Sequence, residues 1–253
     1  MFNDVFIITA AGGNPTAIKL LDKKLKSNEY SQIGAELLEE TKKYGVEQCG
    51  FLIIKEKHFE MSGGEFCGNA ARAAAIILAN TEKNNKPQFT MSGFKNIIKA
   101  KVDKINKNKY QVSCTFENLQ INTSLIQALG KKAQMVDLGG IVQIVIEGNF
   151  PKNSYKKQHR KITSDLNLTQ KNAVGVCWIE KNNSKIKMHP VVWVRDINSF
   201  FYESSCGSGT IAVGKVSKCK SVIQPTDQNI DINIIGNNIS LSSEMEIIKS
   251  PPK

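Results

Sequence analysis

Two hydrophobic periods run through this chain, and the switches between them mark its elements. Asp4 to Ala10 is rich in β-branched and apolar residues and predicts a strand, as does Ala17 to Leu21. The intervening Ala11-Gly12-Gly13-Asn14-Pro15-Thr16 reads as a loop from its glycines and proline. Tyr30 to Lys43 sets Ile33, Leu37 and Leu38 at helical spacing beside acidic residues, the pattern of an amphipathic helix. Gly50 to Lys55 and Lys57 to Met61 predict a hairpin. Asn69 to Asn80 is alanine-rich and predicts a helix. Phe94 to Phe116 predicts two strands, broken near Asn106 and Asn108.

The second half runs in the same order. Gln134 to Leu138 and Ile141 to Ile146 predict strands on either side of a Gly139-Gly140 break. Asn153 to Asp165 predicts a polar helix, and Ala173 to Ile179 and Lys185 to Val194 predict strands. Gly209 to Val216 predicts a helix, with short strands at Ile223, Ile230 to Ile235, Ile239 to Leu241 and Met245 to Ile248. Gly12-Gly13 answers Gly139-Gly140, and Cys67-Gly68 answers Cys206-Gly207 about half a chain later. That is the pattern of a duplicated α+β unit. The expected division is residues 1–120, carrying Cys67, and 121–253, carrying Cys206, with the last strands free to return to the first half. A cleft between two related domains is a favoured ligand site.

Composition narrows the class. The chain has 253 residues, 41% hydrophobic and 23% charged, which suits a soluble globular protein with a sizeable core. No apolar run approaches the roughly 18–20 residues of a membrane span. The first residues lack a basic lead-in and a long apolar stretch, so a cytoplasmic location is expected. The net charge of +11 comes from scattered lysines outside any nucleic-acid motif. It reads as a solvated surface, with neither nucleic acid nor membrane as partner. The six cysteines form no C-x-x-C pair, and with three histidines the spacing argues against a zinc site. Free thiols are expected. Cys49, Cys114 and Cys177 sit in apolar stretches and read as core residues; His58 and His189 read as strand residues.

Cys67 and Cys206 are different. Each opens a helix, is followed by small residues and lies shortly after an acid, Glu65 or Glu203. A helix N-terminus offers unpaired N–H groups and partial positive charge, which should lower a thiol's pKa and hold a carboxylate. Two such mouths face to face could grip an amino-acid carboxylate with one thiol on each side of the α-carbon. One thiolate would remove the α-proton while the other thiol protonates the opposite face, with no metal or other cofactor. Packing of two small residues at helix starts, or a redox pair, are the other readings of the same cysteines. Glu65 and Glu203 could tune the thiols, contact the substrate side chain or complement the helix ends.

These residues resemble the diaminopimelate epimerase-like family of cofactor-independent racemases and epimerases. The matching pieces are Gly13-Asn14, Gln48 before Gly50, Cys67-Gly68-Asn69 with Arg72, Gly175, and Cys206-Gly207-Ser208-Gly209. The resemblance implies two pseudo-symmetric domains, each a curved sheet around a central helix, with the site between them. It implies that Cys67 and Cys206 are the catalytic bases, that Gly68, Asn69, Gly207, Ser208 and Gly209 hold the α-amino-acid end, and that Asn14 and Gln48 line the pocket. The family's grip on a second, distal amino-acid centre looks lost. Its asparagines are replaced by Gly140 and Ala173, and the nearest arginine before Cys206 is Arg195. The segments Met61 to Asn69 and Tyr202 to Thr210 resemble the histidine racemases of opine-type metallophore pathways. The alternatives are a diaminopimelate epimerase with a diverged distal pocket and a non-catalytic amino-acid-binding protein. A homodimer is left open.

Overall fold

The computed structural model describes residues 4–251 apart from 184, 196 and 197. In chain order the first half contains β1 (Val5–Ala10), β2 (Gly13–Leu21), α1 (Ser27–Thr41), β3 (Gln48–Ile53), β4 (His58–Met61), α2 (Gly68–Glu82), β5 (Gln88–Met91), β6 (Phe94–Lys104) and β7 (Lys109–Phe116). The second contains β8 (Asn122–Ala128), β9 (Lys131–Asp137), β10 (Val142–Glu147), α3 (Tyr155–Asp165), β11 (Ala173–Asn182), β12 (Lys185–Val194), β13 (Ser199–Tyr202), α4 (Gly207–Ser217), β14 (Ser221–Ile223), β15 (Asn229–Ile235) and β16 (Asn238–Lys249). The fold is α+β, rich in sheet and barrel-like, with few helices.

The expected helices and the hairpin of β3 and β4 form close to their predicted places. The loop expected over Ala11 to Thr16 does not: only Ala11 and Gly12 turn, and β2 begins at Gly13. Both turn residues have positive φ, 46° and 71°, which suits a two-residue hairpin loop. Asn14 and Pro15 fall in the irregular stretch between the Ala10–Gly13 and Ile8–Thr16 pairs, where proline's missing N–H breaks no regular ladder. Strands β5, β8 and β13 were not predicted. The strands expected at Ile239 and Met245 are one continuous β16.

Strands β1 to β7 pair in sequence, and β16 pairs with both β7 and β1, closing a ring. Every residue from Gly68 to Ala79 on α2 is buried, and α2 touches β1, β2, β3, β4, β6, β7 and β16. Its alanines let the surrounding sheet approach closely. From β16 the sheet continues through β15, β14, β12, β11, β10, β9 and β8, with α4 against β10, β11, β14, β15 and β16. Alternate residues separate the faces of this second sheet. Cys177, Ile179 and Val192 join the large core with α4, while Val176, Trp178 and Val191 join a second cluster with Ile162 of α3. In the same way Leu37 of α1 packs with Val5, Ile7 and Ala17, away from α2.

Pairing recurs between the halves. β2 is parallel to β3 across α1, and β10 is parallel to β11 across α3. β3 is antiparallel to β4, and β11 to β12. β4 is parallel to β5 across α2, and β12 to β14 across α4. Each parallel crossover therefore carries a helix, and the inner pair are the two that begin after a cysteine. Among the described residues no helix is long and apolar enough to cross a membrane.

Candidate active site

Cys67 is the N-cap of α2 and Cys206 the N-cap of α4, with nearly the same backbone: φ −137°, ψ 110° and φ −137°, ψ 111°. Each Sγ accepts from the backbone N–H three residues on, Ala70 at 3.4 Å and Gly209 at 3.2 Å. Sulfur occupies the place usually taken by a serine or aspartate oxygen at a cap. The two helix mouths abut. A Cβ on Gly68 would lie 3.6 Å from Gly207 Cα, and one on Gly207 would lie 3.2 Å from Asn69 N and 3.2 Å from Gly68 Cα. Side chains at these two positions would push the helix ends apart. Gly209 is equally confined, since its Cβ would come 2.9 Å from Cys177 Sγ and 3.1 Å from Cys206 Sγ.

The other predicted residues gather here. Gln48 Oε1 accepts from the Cys67 thiol at 3.3 Å, and Gln48 Nε2 donates to Thr16 Oγ1 at 2.7 Å. Asn14 Nδ2 and Asn69 Nδ2 both donate to the Ser205 carbonyl, at 2.9 and 3.0 Å. Asn14 N donates to Ser204 Oγ at 2.8 Å. The first half thus grips the segment leading into Cys206. Gly13 permits this, because its Cβ would lie 2.5 Å from Ser204 Oγ. Ser208 is buried and lies 3.5 Å from Cys206 Sγ. Gly140 faces Phe66, beside Cys67, with its Cβ position 3.6 Å from Phe66 N.

Several partners were not anticipated. Gln143, fully buried in β10, donates from Nε2 to Ser208 Oγ at 2.9 Å and accepts from the Cys177 thiol at 3.4 Å. Gly175 makes room for it: a Cβ there would sit 2.0 Å from Gln143 Oε1. Gln224 Oε1 accepts from Cys206 N at 2.9 Å. The sequence signal for Gln143 was present as a single amide inside the apolar run Ile141 to Ile146.

All six cysteines are free thiols, and Cys49, Cys114 and Cys177 are buried. The expectation that the helix mouths lower the thiol pKa is corrected. Burial pushes the Cys67 thiol up to about 12, with the charges of Glu203 and Glu65 acting in the same sense. The N–H groups of Ala70 and Asn69 pull it down, but by less. Burial, then Glu203 and Cys177, raise the Cys206 thiol well above its ordinary value. Both groups are therefore protonated in the free protein at neutral pH. Glu203 is pushed up to about 7 by burial and by Glu47 and Glu65, with Cys206 and Asn14 pulling the other way. Burial likewise raises Glu65, with the N–H groups of Glu65 and Gly63 pulling the other way. The two acids thus act on the thiols through charge.

A family model for the histidine racemase CntK N-terminal domain matches residues 6–247. A histidine racemase of Fusobacterium nucleatum (strain ATCC 23726) is 33% identical over 219 residues, covering 83% of this chain and 80% of its own. Another, from strain ATCC 25586, is 30% identical over 236 residues, covering 88% and 85%. Among solved structures, a predicted epimerase of Pseudomonas aeruginosa superposes with a TM-score of 0.64 at 10% identity, covering 97% of this chain and 96% of that one. A phenazine biosynthesis PhzF-family protein of Enterococcus faecalis gives 0.56 at 17% identity with the same coverage. At such identities the structural likeness speaks to the fold.

Proposed function

This chain belongs to the histidine racemase family, and we propose that it inverts the α-carbon of an amino acid, histidine favoured, with a thiolate–thiol pair formed by Cys67 and Cys206. The observation that carries this reading is the matched capping of two abutting helices by two cysteines. Substrate carboxylate is held at the paired helix mouths by backbone N–H groups of Gly68, Asn69, Gly207 and Ser208, with Gly209, whose N–H caps Cys206, giving the close approach. Asn14 and Gln48 line the same pocket. Asn14 Oδ1, buried and without a partner among the described residues, accepts from the α-ammonium. The α-carbon then lies between the sulfurs.

Proton balance gives each group a part. Ionisation of one thiol is required first. Glu203, three residues before Cys206 and with its carboxyl pushed up to about 7, accepts that proton, and the substrate's ammonium favours the resulting thiolate. The thiolate takes the α-proton from one face, breaking C–H and forming S–H. The second thiol gives its proton to the other face of the carbanion, so the pair ends with its protonation exchanged. Helix-end N–H groups stabilise the charge that develops on the carboxylate. The chemistry needs no added cofactor.

The architecture we infer is two pseudo-symmetric domains, residues 1–120 and 121–253, each a curved sheet around a central helix, α2 or α4. The recurrent pairings support it, and β16 returns to close the first ring. Gly140 at the Phe66 wall supports loss of a distal amino-acid grip. Free thiols at the centre suit a reducing, cytoplasmic compartment.

The test is incubation with L-histidine in deuterated water, with a panel of other amino acids and diaminopimelate alongside. Exchange at the histidine α-carbon with appearance of D-histidine supports the reading. Exchange confined to diaminopimelate would reassign the substrate, and binding without exchange would leave an amino-acid-binding protein.

A further inference from the structure

Arg72 is the only lysine or arginine among the described residues that is buried, and its exposure is 0%. Among the described residues no carboxylate pairs with it. Its Nη2 donates to Asn69 Oδ1 at 2.6 Å, while Nε and Nη1 have no partner among the described residues. Burying a cation without an acid costs folding free energy, so a purely structural role would be served better by an apolar side chain. Through Asn69 it sits between the two helix mouths, and its charge pulls the buried Cys114 thiol down.

The Asn69 bond has a definite geometric consequence. With Oδ1 held by Arg72, the amide must present Nδ2 to the other side, where it meets the Ser205 carbonyl at 3.0 Å. Ser205 immediately precedes Cys206. Arg72 on α2 is thereby linked through Asn69 to the N-cap of α4, across the Gly68–Gly207 contact. We propose that Arg72 is a positioning residue that aligns the two helix mouths through Asn69 and supplies them with a fixed positive charge for whichever thiol is ionised. The proposal rests on the thiol-pair reading of the site. It explains how a thiolate is sustained where burial, Glu65 and Glu203 all oppose it.

Its test reads the thiols without turnover. Alkylation of Cys67, which is partly exposed, is followed by mass spectrometry against pH in the wild type and in R72M, R72Q and R72K, with partly exposed Cys219 as the internal control. R72Q can keep an amide contact to Asn69 without the charge, and R72K keeps the charge with a shorter reach. R72M and R72Q should alkylate Cys67 about tenfold more slowly at pH 8, a shift of about one pH unit in the profile, with R72K within about twofold of wild type. Cys219 should be unchanged in all three. Should R72M fail to fold, R72Q against R72K carries the same contrast. Cys67 profiles in the charge-free variants that superimpose on wild type would overturn the proposal. A protein inactive on every amino acid but showing this shift would defeat the racemase reading and leave the role of Arg72 standing.

Discussion

Cys67 and Cys206 cap their helices with φ equal at −137° and ψ differing by one degree, 110° against 111°. Each sulfur accepts from the N–H three residues on, so the two thiols stand in the same relation to their own helix dipoles. Their surroundings differ. Cys67 donates to the neutral Gln48, whereas Cys206 Sγ lies 3.5 Å from Ser208 Oγ and, after burial, the charge of the acid Glu203 bears on it most. A two-sided proton transfer between equivalent positions accounts for the likeness, and the need to ionise one thiol accounts for the difference.

Replacing either cysteine by alanine should therefore remove turnover while leaving a folded protein. The expected loss in kcat is at least about 10²–10⁴-fold, the contribution of a positioned acid or base. Loss of a cap costs about 1 kcal/mol of stability. Circular dichroism and thermal melts check folding, and chiral chromatography of the product checks turnover.

The Asn14 backbone and its amide can be separated. Its φ of 42° lies in the left-handed region, which alanine adopts at a cost of about 1 kcal/mol or more and glycine does not. Asn14→Gly should melt above Asn14→Ala, yet both should show the same rise in KM, because both lack the side chain that reaches Ser205 O. Recovery of KM in the glycine variant would show that only the backbone matters.

Gln143 and Gly175 should be energetically coupled. Gln143 is fixed by Ser208 and Cys177, so it cannot swing away from an added methyl whose place is 2.0 Å from its Oε1. Gly175→Ala should destabilise by about 1–3 kcal/mol, the range for overpacking a well-filled interior. In Gln143→Ala, which itself loses about 1–3 kcal/mol by stranding buried partners, the same change should cost much less. A double-mutant cycle from urea melts reads the coupling.

Glu203 makes stability depend on pH in a definite sense. Its folded pKa, about 7, lies above the ordinary 4.5, so the native state holds the proton more tightly than the unfolded chain. The stabilisation this brings is complete below about 4.5 and is lost as pH rises through about 7. Thermal melts of the free protein should fall across that window, and Glu203→Gln should flatten the fall. A wild-type profile as flat as the variant's would contradict the assignment.

How far the sequence could be read depended on whether a feature was local. The Cys-Gly repeats, the alanine run of α2 and the hairpin of β3 and β4 carry their cause within a few residues, and all were legible. Strand β8 was not: six of its seven residues are polar, exposed or half-exposed, so alternation never appears. The second part of the loop expected over Ala11 to Thr16 is strand because β3 pairs with it through Thr16 and Gln48, a contact no local pattern announces. Ring closure by β16 joins distant segments for the same reason. At the candidate site, the residues with a motif are the ones the sequence could single out, while Gln143, Gln224 and Ser205 join them through tertiary contacts. The direction of the thiol shift was missed because helix ends are visible in sequence and desolvation is not.

The central claim is that two groups, one on each face, move the proton. Its most direct test is the fate of solvent deuterium at early times in a reaction started from pure L-histidine in deuterated water, with the enantiomers separated before mass spectrometry. The account predicts deuterium in the D-histidine formed and almost none in the L-histidine remaining, because the thiol that protonates the product has exchanged with solvent while the base returns the substrate's own proton. Equal deuterium in the two enantiomers, or none in either, would contradict it.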